Sequence, residues 1–274
     1  MMVEALVYFF VPALVGVLIG IASGLLGIGG GTVMVPIFRL AFGMSATMST
    51  ATSLFAIIPT SISGAISHVK GKTCIPALGI AAGLGGACMS PIGVWLAQLS
   101  PDWLVMLVAA LIIGYSAINM FKKAFKLRPA GQPAAGVDAS APTADDSSLS
   151  RKQLLQGAAI GLVAGLASGY VGVGGGFIMV PLMLSIIGIP MRKASGTSLI
   201  AVMILAIPGV IEQGIIGNIN YLAGIAIVIG TIPGAVIGAR LVTKVPERTL
   251  RLLFGCFLIV AAVMLVLNEV GIFG

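Results

Sequence analysis

Two strings hold most of the residues in this sequence that are suited to chemistry. They are GLLGIGGGTVMVP, from Gly24 to Pro36, and GYVGVGGGFIMVP, from Gly169 to Pro181. Each contains three consecutive glycines, Gly29-Gly30-Gly31 and Gly174-Gly175-Gly176, with Gly27 and Gly172 just ahead of them. A glycine in a helix costs about 1 kcal/mol relative to alanine, so the chain is expected to unwind at both places. Unwinding frees backbone N–H groups, and a helix restarting after the break turns its positive end toward them. Such amides bind anions. The same glycines can also serve only to let helices cross closely. A hydroxyl cluster follows each string: SATMSTATS (Ser45 to Ser53) and RKASGTS (Arg192 to Ser198). These side chains can donate to a substrate, or bond back to helix carbonyls and across helices. The candidate binding residues are Gly27, Gly29, Gly30, Gly31, Thr52, Ser53, Gly172, Gly174, Gly175, Gly176, Thr197 and Ser198.

Other chemistry is poorly provided for. The chain has one histidine, His68, and three scattered cysteines, Cys74, Cys88 and Cys256, without a CxxC pair. No Ser-His-Asp set, HExxH or carboxylate dyad is present, and no GxxxxGKS loop for nucleotide phosphates. The expectation is a protein with no catalytic residue, no metal and no cofactor, and not an enzyme. The glycine strings superficially resemble a dinucleotide loop, but their flanks are apolar rather than βαβ. His68, two residues before Lys70, reads as a solvated loop histidine. Arg240 lies near a helix end, where its stem can snorkel, and Glu212 lies near the other end of its own segment. Gly79, outside the repeated strings, is expected to tolerate substitution better than Gly30 or Gly175.

The elements that position these residues follow from composition. Of 274 residues, 58% are apolar and 8% charged, against roughly 25% charged in soluble domains. Mean hydropathy is +1.15. Too few charges exist to cover a water-facing surface, which excludes a soluble enzyme or a nucleic-acid-binding domain and leaves a multi-pass membrane protein. Apolar segments run over 6–26, 32–42, 47–67, 74–99 and 103–125, then 154–171, 177–187, 193–213, 219–242 and 249–267. The second of each five is too short for the roughly 20 residues a crossing needs. About eight full helices plus two glycine-broken half-helices is as defensible a count as ten spans. Glu4 and the absence of a basic leader make the first segment a retained helix.

The two sets of five match each other. An offset of 145 positions, as from Gly29 to Gly174, also relates Gly16 to Gly161, Gly20 to Gly165, Ser23 to Ser168, Pro36 to Pro181 and Thr52-Ser53 to Thr197-Ser198. Residues 1–125 form a first membrane repeat and 151–274 a second. Between them, 126–150 is a Pro-, Ala-, Ser- and Asp-rich linker. If every segment reverses the chain, His68, Lys70, Lys72, the basic flanks of the linker, Arg192, Lys193, Lys244, Arg248 and Arg251 share one side. Glu4, Asp102, Glu212 and Glu269 share the other, with Arg39 the exception. Under the positive-inside rule the basic side and the linker are cytoplasmic. The odd number of reversals per half makes this an inverted repeat. The net charge of +7 is explained by these loops rather than by an acidic partner or nucleic acid.

The duplicated GxGGGxxxVP, the hydroxyl cluster ending in Thr-Ser-Leu and the run GARLVTKVPERTLRLLFGCFLIV resemble the sulfite exporter TauE/SafE family of membrane transporters. The resemblance covers nearly the whole chain outside the linker. It implies movement of a sulfur-containing anion, sulfite or an organosulfonate, across the cytoplasmic membrane. One departure is that Trp95 in the first half stands opposite Arg240 in the second. The expected activity is secondary transport, in the export direction, by alternating access. The alternative is an anion channel with the same glycine lining. The expected partners are the small anion and the bilayer, and a homodimer is compatible with the pattern.

Overall fold

The computed structural model describes residues 2–126 and 150–269. The linker at 126–150 therefore lies, but for its two end residues, outside the described residues. The described chain is helical, with no strand among the described residues. Its elements are α1 (Met2–Leu26), α2 (Gly31–Phe42), α3 (Ala46–Lys70), α4 (Pro76–Leu99), α5 (Asp102–Lys126), α6 (Arg151–Val171), α7 (Gly176–Leu182) with a π-helical turn at Met183–Ile187, α8 (Met191–Ile216), α9 (Tyr221–Leu241) and α10 (Glu247–Glu269). Seven of them, α3, α4, α5, α6, α8, α9 and α10, are long and apolar enough to cross a membrane. The protein is an all-α multi-pass membrane protein. α2 has 12 residues, so it spans about 18 Å at ~1.5 Å per residue, short of a ~30 Å hydrocarbon core. α7 with its π turn covers the matching positions.

Local sequence sets the helix ends. Ser45 caps α3 by accepting from Met48 N, Asn220 caps α9 by accepting from Ala223 N, and Ser150 with Gln153 forms a capping box on α6. Two carboxylates close α3 and α8 from a distance. Asp102 accepts from Ala46 N at 3.2 Å, and Glu247 accepts from Met191 N at 3.3 Å. The two pairs are related by the 145-residue offset.

Glycine stripes then decide which helices pair. On α1, a Cβ added at Gly16, Gly20 or Gly24 would strike the backbone of Ile227, Thr231 or Ala235 on α9. On α6, Gly161, Gly165 and Gly169 press in the same way on Ala82, Gly86 and Ser90 of α4. Each stripe has a small residue every fourth position, which lets backbones approach where no hydrophobic force draws helices together. The contacts advance together along both members, so each pair is parallel. α3 and α8 lie between the pairs and run antiparallel: Gly64 meets Leu199, while Leu54 meets Gly209.

The bundle has two chemically different ends. Lys72, Thr73, Arg192, Lys193 and Glu247 surround one cavity, and Lys70, Arg240 and Thr243 line another beside it. The opposite end holds Asp102, Asn220 and the Tyr170–Ser100 hydroxyl pair at 3.0 Å. Between the ends, Leu111, Ile118, Ile229 and Val260 face outward with many other aliphatic side chains.

His68 is not a solvated loop residue. It sits in the last turns of α3, is fully buried and is held on both ring nitrogens. Nε2 donates to Gly24 O at 2.8 Å, and Nδ1 pairs with Thr73 Oγ1 at 2.7 Å. The basic residues that follow it suggested a solvated loop, but α3 runs on to Lys70. Gly196 of α8 leaves room for the ring: a Cβ there would lie 2.7 Å from Nδ1.

Candidate functional site

The two glycine breaks meet at the centre of the bundle. Gly27, Gly29 and Gly30 have φ of 75°, 80° and 84°, and Gly172, Gly174 and Gly175 have 73°, 87° and 67°. Gly30 and Gly175 are the N-caps of α2 and α7, in the left-handed region that an L side chain adopts only at a cost. Gly31 and Gly176 serve a different need. A Cβ on Gly31 would lie 2.5 Å from Val173 O, and one on Gly176 would strike the backbone of Gly27 and Ile28. The breaks therefore cross backbone to backbone. Gly29 and Gly174 both abut Ile57 and Val202, equivalent residues about halfway along α3 and α8. Each break also presses on the other half's hydroxyl cluster, Gly27 on Ser195 and Gly172 on Thr50.

The predicted hydroxyls divide by role. Thr52 Oγ1 accepts from Asn220 N at 3.0 Å and Thr197 Oγ1 accepts from Ile75 N at 2.9 Å. Both thus secure the entry to a following helix, and Thr197 also donates to Lys193 O. Ser198 donates to Gly27 O at 2.7 Å and to Ser195 O at 2.8 Å. Ser53, at the position equivalent to Ser198, is fully buried with no hydrogen-bond partner.

The strongest concentration of unpartnered donors lies at the first break. The N–H groups of Gly29, Gly30, Gly31 and Thr32 find no acceptor among the described residues. Three hydroxyls beside them, Ser23, Thr32 and Ser61, are fully buried and also lack a partner. A Cβ on Gly29 would lie 3.5 Å from Ser61 Oγ, and one on Gly30 3.7 Å from Ser23 Cβ. Thr32 occupies the first turn of α2. Each buried donor left unsatisfied costs about 1–3 kcal/mol, and a group accepting from several of them recovers that cost. Donors of this kind, with the positive end of a helix behind them, suit an anion. The second break is not equivalent. Ser168 is unpartnered there, but Phe177 and Ala206 replace Thr32 and Ser61. The glycine repeat draws attention to both breaks alike. Reading the flanking positions at the same offset exposes the asymmetry.

Comparison with known proteins gives a consistent result. The model of the family described as Sulfite exporter TauE/SafE matches residues 12–265. The chain is 27% identical to the "Probable membrane transporter protein YunE" of Bacillus subtilis (strain 168), over 97% of this chain and 99% of that one. It is 28% identical to YdhB of the same organism, likewise called a probable membrane transporter protein, over 87% and 92%. A "Probable membrane transporter protein" of Haemophilus influenzae is 29% identical over 93% and 97%. No solved structure matches.

Proposed function

The chain belongs to the sulfite exporter TauE/SafE family of membrane transporters, and from that premise we propose that it is a secondary transporter that exports a small anion, sulfite or an organosulfonate, across the cytoplasmic membrane. The anion is held where the two broken helices cross. The observation that carries this reading is the set of buried, unpartnered donors around Gly29–Thr32: four backbone amides with the hydroxyls of Ser23, Thr32 and Ser61. They replace the water an oxyanion loses on entering the bundle.

Alternating access is supported by the relation between halves. α3 and α8 match at the 145-residue offset and run antiparallel, as expected if the repeats are inverted. Exchanging the conformations of two such halves turns a site open to one face into a site open to the other. The crossing glycines are buried from both ends, which favours a carrier over a channel.

The test is uptake of sulfite, thiosulfate, sulfoacetate and taurine by purified protein in proteoliposomes, with and without the same anion inside. Acceleration by internal anion, lost in Ser61→Ala and Thr32→Val, is expected. Equal flux in these variants and wild type would remove the crossing as the binding site. Flux indifferent to internal anion would replace the carrier with a channel.

A further inference from the structure

We infer that the cavity between the α3–α4 turn and the start of α8 is a capture site for a small, multiply charged oxyanion, on the face from which the transported anion is loaded. This rests on the anion reading above but concerns a second, separate place in the molecule. The cavity has a volume of about 470 Å³ and is lined by Lys72, Thr73, Pro190, Arg192, Lys193 and Glu247. Lys72 and Arg192 face one carboxylate, and that carboxylate is already committed. Glu247 pairs with Arg251 and accepts from Met191 N. Arg192 spends one terminal N–H on Val245 O at 3.0 Å, while its Nε–H is buried without a partner. The cavity therefore keeps a positive field.

The backbone at Lys72 adds an independent reason. Lys72 is the one described non-glycine residue with positive φ, at 54°. A side chain there costs about 1–2 kcal/mol. The equivalent residue at the opposite end is Gly217, with φ of 84°, so the same turn is made there without strain. A lysine kept in a glycine conformation points to a role for its charge. The other cations follow suit. Arg192 and Lys193 correspond to Thr47 and Met48, so the opposite end lacks these charges. The capture site is one-sided by construction, and the pairing across the offset shows which groups make it so.

Its wall is joined to the glycine break. Thr73 lines the cavity and pairs with His68 Nδ1, and His68 Nε2 donates to Gly24 O, one turn before Gly27. At the opposite end the equivalent pair is Asn218 and Gln213, joined at 2.8 Å. An anion drawn against Thr73 thus sits two hydrogen bonds from the end of α1.

The experiment uses purified full-length protein and sulfite as probe. The variants Lys72→Gly and Lys193→Met copy the residues of the other end, and the glycine removes strain, so both are expected to fold. Sulfite transport is measured in phosphatidylcholine and in phosphatidylglycerol vesicles, from each face separately, at low and high salt. The expected result is a KM raised roughly 10-fold from the Lys72 face alone, as for lost electrostatic focusing. Vmax should hold, and the salt dependence should flatten. An unchanged KM, or an equal rise from both faces, overturns the capture site. So does an effect confined to phosphatidylglycerol vesicles, which would mean that a lipid phosphate occupies the cavity. Equilibrium dialysis with labelled sulfite separates the two readings. Lys72-dependent binding in a protein that carries no sulfite keeps the capture site and defeats the transport reading. Binding indifferent to Lys72→Gly does the reverse.

Discussion

Replacing Gly31 with alanine tests the crossing of the two breaks most directly. Its Cβ would lie 2.5 Å from Val173 O, 2.6 Å from Val173 C and 2.6 Å from Ile57 Cδ1. The isoleucine methyl can rotate away, but the Val173 peptide cannot, because Gly176 holds the same segment against Gly27 and Ile28. To reach ordinary contact near 3.4 Å the breaks must part by about 0.9 Å. Overpacking of this kind costs about 1–3 kcal/mol. The neighbouring Gly30→Ala isolates the other effect. Its Cβ would meet Ile19 Cγ2 and Met34 Cε at 3.0 Å, both ends of flexible side chains. Its cost is then mainly the left-handed backbone, about 1–2 kcal/mol. Gly114→Ala is the control: it lies within α5 and a Cβ there meets nothing within 4 Å, so helix propensity favours alanine by about 1 kcal/mol. Gly79, which the sequence suggested as a mild site, is not a control. A Cβ there lies 2.8 Å from Ile200 Cβ and 2.9 Å from Thr197 O. Unfolding midpoints in detergent should fall in the order Gly114→Ala, wild type, Gly30→Ala, Gly31→Ala. Sulfite uptake should be lost in Gly31→Ala, because a shift of that size displaces the Gly31 and Thr32 amides. A Gly31→Ala protein as stable as Gly114→Ala, and transporting normally, would refute the close crossing.

Three further outcomes follow from the hydrogen bonds. Ser23→Ala and Ser61→Ala remove buried hydroxyls that have no protein partner, so substrate-free stability should hold or rise while ligand-induced stabilisation is lost; a fall in substrate-free midpoint would show that these hydroxyls serve the fold. Thr52→Val and Thr197→Val strip an acceptor from Asn220 N and Ile75 N and should each destabilise by about 1–3 kcal/mol, with uptake per folded molecule largely kept; wild-type midpoints would contradict this. His68→Gln should fold and His68→Ala should not fold as well, since glutamine can donate to Gly24 O and accept from Thr73, whereas alanine leaves both unpaired; equal midpoints would remove the structural role of the ring.

Much of this protein was legible from composition and repetition. Eight per cent charge in 274 residues dictates a membrane-embedded bundle, whatever its packing, because lipid requires helices that satisfy their own backbones. The duplicated glycine strings marked where helices must break, since backbone propensity is a local property. The offset also paired Asp102 with Glu247 and His68 with Gln213, though a reading of one half alone does not reveal it. Tertiary structure decided the rest. Thr52 and Thr197 look like substrate ligands in sequence, and only the packing of α3 on α9 and of α8 on α4 brings each to a backbone amide. The burial of His68 depends on Gly196, more than a hundred residues away. The same holds for the choice of partner for each glycine stripe, and for the gathering of Ser23, Thr32 and Ser61 at one break but not the other. These are contacts between distant segments, set by which backbones can approach, and periodicity along the chain carries no record of them.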